Sequence, residues 1–148
     1  MRRLVLLTTL VALSCPAFCA TDAKTITLEQ ISLLENRAEH AQPEEQCLLY
    51  AQIIAGMSQE VDRQLAAGNS AKAATALQHM NAYAARLHSS VGMKTRKIKD
   101  TEILIRETAR HMESMVRHAD IEDQDMLHSA LTKLNTLQAD LMMHVFQH

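Results

Sequence analysis

Residues 42–70 read QPEEQCLLYAQIIAGMSQEVDRQLAAGNS, and this stretch decides the fold. Pro43 fits the first position of a helix, where its missing N–H costs nothing, and Glu44 and Glu45 suit the positive helix end. Cys47, Ala51, Ile54, Val61 and Leu65 then recur on one face at helical spacing. Gly56 interrupts without a break signal beside it. Ala67-Gly68-Asn69 supplies a stop, because glycine takes the left-handed conformation that ends many helices. Asn69 or Ser70 can cap a second helix at once. A capped start, one apolar face, a glycine stop and a new cap together specify a helical hairpin.

Outward from this hairpin the pattern continues in both directions. Upstream, Thr27-Leu28-Glu29-Gln30 has the form of a capping box, and Ile31, Leu34, Ala38 and Ala41 give a helix to about residue 41. Downstream, Ala73, Leu77, Met80, Ala84, Leu87 and Val91 form the stripe of the next helix. A segment over about 95–118 follows, with Glu102/Arg106 and Glu113/Arg117 placed i,i+4 in the favourable order. Asp120 caps a last helix, whose stripe is Leu127, Leu131, Leu134, Leu141 and Val145.

One apolar phase runs through the middle. Leu77, Ala84, Val91, Ile98, Ile105, Met112 and Ala119 stand seven apart, whereas the companion row is broken by Lys94, Thr101 and Thr108. This is half a coiled-coil seam. It leaves two readings: a helix that ends at Gly92, or one long kinked helix over about 70–118. The expected class is all-α, with four to five amphipathic helices in antiparallel hairpins. The stretch from Glu44 to Val91 resembles a tetratricopeptide-type hairpin in its small residues, Gly-Asn turn and Ala-rich second helix. That family's Trp-Leu-Gly-Tyr signature is absent and no second copy follows at a 34-residue period, so the chain does not read as a repeat protein.

Composition agrees and excludes. With 3 Gly and 2 Pro in 148 residues, the tight turns of an all-β fold are missing. Three scattered glycines cannot build a phosphate loop. Aromatics at 3% leave few stacking surfaces for single-stranded nucleic acid, and the charge balance gives no general pull toward it. No Ser or Cys stands in a nucleophile elbow, and no Cys-x-x-Cys-His haem site occurs. The acidic residues around Asp120 lack the glycine and the final Glu of a Ca²⁺ loop and read as helix caps. A non-catalytic chain is expected.

Residues 1–20 read as a secretory signal peptide: Arg2 and Arg3, an apolar run Leu4–Leu13 too short to cross a bilayer, then small residues that place cleavage after Cys19 or Ala20. The expected mature unit is one helical domain, 21–148, without a transmembrane span, periplasmic or secreted from a bacterium. Ala12-Leu13-Ser14-Cys15 also resembles a lipobox, which would anchor the chain through Cys15. Losing Arg2 and Arg3 takes the formal charge from −2 to about −4. Of 3 cysteines only Cys47 would remain, on an apolar face, so no internal disulfide is available.

Two groups could carry chemistry or binding. Eight histidines include His144 and His148, which with Asp140 stand at i, i+4, i+8 on one helix face. His111 and His128 fall at similar heights in the last hairpin. Either group could hold Cu or Zn, with Met112, Met115, Met142 and Met143 nearby in sequence for Cu(I). The second group is Lys94, Arg96, Lys97 and Lys99, where a helix should begin and where its dipole disfavours positive charge. Arg106, Arg110 and Arg117 continue along one face. These residues point to an acidic protein or an anionic envelope component as partner. The thin helical layers also leave apolar faces that a homodimer would cover.

Overall fold

The computed structural model describes residues 26–92 and 97–146. Five helices form in chain order: α1 Leu28–His40, α2 Pro43–Ala66, α3 Ser70–Ser90, α4 Ile98–His118 and α5 Ile121–Phe146. The fold is all-α. The expected leader, its expected cleavage site and Cys15 fall within residues 1–25, which lie outside the described residues.

Local chemistry sets the boundaries. The capping box forms: Gln30 N–H donates to Thr27 Oγ1, and Thr27 N–H donates to Gln30 Oε1 at 3.0 Å. Gly68 has φ +72, its N–H donates to the Leu65 carbonyl, and Asn69 N–H donates to the Gln64 carbonyl. That is a Schellman ending. Asn69 makes no side-chain cap. Instead the next residue, Ser70, donates its hydroxyl across to Asp123 Oδ2 of α5.

α2 lies at the centre, covered by α1, α3 and α4. Cys47 Sγ at 3.7 Å from the Ser90 carbonyl, and the Tyr50 and Tyr83 rings with centroids 5.9 Å apart, fix α2 and α3 as antiparallel. α1 folds back on α2. Ile26 N–H donates to Gln59 Oε1, Arg63 donates to the Ile26 carbonyl, and Gln46 donates to the carbonyls of Ala38 and Ala41. Gly56 lets this approach happen, since a Cβ there would stand 2.9 Å from Ile31 Cγ1.

The α4/α5 hairpin stacks on the α2/α3 hairpin. Ala55 and Asp62 share a groove with Leu104 and His111, so α2 and α4 advance together and run parallel. Ser70 meets Asp123 and His88 meets Asp140, so α3 and α5 are parallel too. α3 and α4 sit diagonally, each touching α2 and α5 and not each other. A single kinked helix over 70–118 therefore does not form. The chain turns at Val91-Gly92 and α4 runs back against the direction of α3. The constant phase arises because both helices turn the same row inward. Leu77, Ala84, Val91, Ile105 and Met112 are buried in the one core that the four helices share.

Candidate interaction surface

α4 separates its charges by flank. Leu104, Glu107 and His111 face α2 across a groove. Ile105 and Met112 face the core. At 100° per residue, Lys99, Ile103, Arg106 and Arg110, spaced i, i+4, i+7 and i+11, fall on the opposite flank, toward α5. Arg117 continues the row. Within it Arg106 pairs with Glu102 at 3.4 Å; the Glu102 side chain is buried and this i,i+4 pair compensates its charge.

α5 presents a matching flank. Asp140 points to α3, where its Oδ2 stands 3.0 Å from His88 Nδ1. Leu141 is buried. Met142 is therefore rotated past the core to the α4 side, and Phe146 lies one turn further on. Their exposures are 41% and 82%, against 42% for Ile103 on α4. Because the hairpin is antiparallel, these apolar tips lie beside the first turns of α4. From Ser129 to Phe146 the only acidic residue is Asp140, which faces away. The outer face of the α4/α5 hairpin thus combines basic and apolar tips, with Glu113 the exposed acidic side chain in the basic row.

Lys97 and Lys99 are exposed at the start of α4. Lys97 is the N-cap residue without a side-chain cap; its carbonyl accepts both the backbone N–H and the hydroxyl of Thr101. Lys94 and Arg96 lie outside the described residues.

The histidines go to different places. His144 Nδ1 lies 2.9 Å from the Asp140 carbonyl, one turn back on its own helix, while the Asp140 carboxylate turns to His88. His148 lies outside the described residues. His111 Nε2 stands 3.6 Å from Asp62 Oδ2 on the α2 side. His128 is exposed on α5, five turns before Phe146 on the same row of the helix. His111 thus turns to the α2 seam, whereas His128 lies on the exposed flank of α5. Among the described residues no group of three His, Cys, Asp or Glu side chains is placed to hold a metal.

Sequence reasoning missed the two His–Asp pairs, His88/Asp140 and His111/Asp62, because each joins residues about fifty apart through the parallel stacking of the hairpins. It also passed over Ile103 and Phe146. Their signal was available, as apolar residues off the core stripe of their helices. A second apolar surface lies on α1, where Leu28 and Leu33 are exposed beside a groove against α2 lined also by Ile26, Leu34 and Gln52. No helix among the described residues is long and apolar enough to cross a membrane. No protein-family model matches the chain, and no curated protein or solved structure matches it either.

Proposed function

We propose that this chain is an exported, non-catalytic helical module that binds or scaffolds other components of the bacterial cell envelope, in the periplasm or outside the cell. Export is supported by the charged start, short apolar run and small residues of positions 1–20. A binding role is supported by one observation above the rest. The outer face of the α4/α5 hairpin carries exposed Ile103, Met142 and Phe146 among Lys97, Lys99 and Arg110, and a purely solvated face has no use for such apolar tips.

Two measurements test the reading. Mass spectrometry of the envelope fraction should find the chain beginning near residue 20 or 21; a chain that keeps Met1 to Leu13 contradicts cleavage, and Cys15 as a lipidated first residue selects anchoring. A photo-crosslinking group replacing Ile103 in living cells should give products that the same group at exposed Lys72 does not. Equal yields at both positions, or none at Ile103, would count against this face. A product of twice the chain mass would identify a second copy as the occupant.

A further inference from the structure

The chemistry of the α4/α5 outer face narrows the partner. The two acidic residues of α4 in this half that remain exposed, Asp100 and Glu107, fall on the flank toward α2, and Glu107 lines the groove there. The opposite flank holds Lys99, Arg106 and Arg110, and Lys94, Arg96 and Lys97 precede it in sequence. One helix thus sorts its charges by side, within a chain that is acidic overall. Apolar side chains also stand out from this face. Ile103, Met142 and Phe146 are exposed here, Phe146 at 82%. Projecting apolar tips ringed by long cationic side chains fit a planar anionic surface. The cations reach phosphate oxygens while their stems and the apolar tips enter the acyl boundary.

We infer that this face docks on an anionic phospholipid bilayer. The inference rests on the envelope-module reading and names its partner. Lys97, Lys99 and Arg110 supply the attraction, and Met142 and Phe146 are the inserted tips. Arg106 contributes less, because Glu102 already holds it.

Vesicle co-sedimentation of the exported protein tests this directly. Vesicles of equal parts phosphatidylglycerol and phosphatidylcholine should carry the protein down, and phosphatidylcholine alone should not. Raising salt should release it, since the attraction acts over a screened distance. The triple variant Lys97→Glu, Lys99→Glu, Arg110→Glu should lose affinity by at least about tenfold, given roughly fivefold per basic residue at such a surface. The variant Met142→Ser, Phe146→Ser should also bind more weakly, while keeping the wild-type salt dependence. All these positions are exposed, and unchanged thermal melting confirms that the fold is kept. Lys72→Glu, at the far end of the bundle, should bind as wild type does. No binding of wild type to phosphatidylglycerol vesicles overturns the lipid assignment, as does binding indifferent to both variants. The module reading fails separately, through the crosslinking from Ile103: a protein captured there while vesicles stay unbound would replace lipid by an acidic protein partner. Absence of any product there would remove the face itself.

Discussion

Gly56 shows how one residue sets the distance between two helices. In a helix interior glycine costs about 1 kcal/mol relative to alanine, so Gly56→Ala would stabilise an isolated α2. In the folded chain the new methyl would stand 2.9 Å from Ile31 Cγ1 and 3.2 Å from Ile26 Cγ2. Ile31 is 1% exposed and cannot swing clear. Overpacking of this kind costs about 1–3 kcal/mol and outweighs the helix gain. Urea unfolding should therefore find Gly56→Ala no more stable than wild type and up to about 2 kcal/mol weaker. The double change with Ile31→Val, which trims the contact, should recover part of the loss. Tyr83 is the second residue with a checkable consequence. Partial burial pushes its phenol above the ordinary value of 10.0, and the negative charge and hydrogen bond of Glu35 push the same way. The folded state holds the phenolic proton more tightly than the unfolded chain does. The contribution is complete below that ordinary value and is lost as pH rises through the raised folded one. Wild type should lose more stability in strong alkali than Tyr83→Phe, measured as the shift in urea midpoint with pH. Equal alkaline losses would contradict the Tyr83–Glu35 contact.

Elements were legible where the signal was local. The Thr27 capping box, Pro43 at the start of α2 and the Gly68 ending are short-range chemistry, and each stands where the sequence puts it. The α3–α4 boundary was not legible, because phase alone cannot tell one helix from two that face the same core. Leu77 and Ala84 on α3 and Ile105 and Met112 on α4 keep a spacing of seven across a turn. The two turn glycines should now respond differently. Gly68 has φ +72, a conformation that costs an L-residue about 1–2 kcal/mol, so Gly68→Ala should destabilise by that amount. At Gly92 a Cβ meets nothing within 4 Å and φ is not positive. Gly92→Ala should then be neutral or gain about 0.4–1 kcal/mol, through lost freedom in the unfolded chain. Thermal melting of both variants checks the pair, and a large loss at Gly92 would mean that the turn is more constrained than its geometry implies.

At the scale of the whole molecule, the sequence defines two hairpins but not how they stack. The parallel pairing of α2 with α4 and of α3 with α5 depends on contacts such as Ser70–Asp123 and His88–Asp140, between residues with no local relation. The candidate surface was half legible for the same reason. The basic run and the arginine row of α4 could be read from spacing, whereas their meeting with Met142 and Phe146 needs the antiparallel return of α5. Stacking also decides which surface remains free. α2 is covered on three sides, while the outer face of α4/α5 is left to solvent or to a partner. Amide hydrogen exchange on the protein, with and without membranes of its proposed location, tests that assignment most directly, because it reads every helix at once and favours neither lipid nor protein as the occupant. Bound protein should gain protection over residues 99–110 and 139–146, while α1 and α2 exchange as before. Protection that appears instead on α1, beside exposed Leu28 and Leu33, or nowhere at all, would contradict the α4/α5 face as the binding surface.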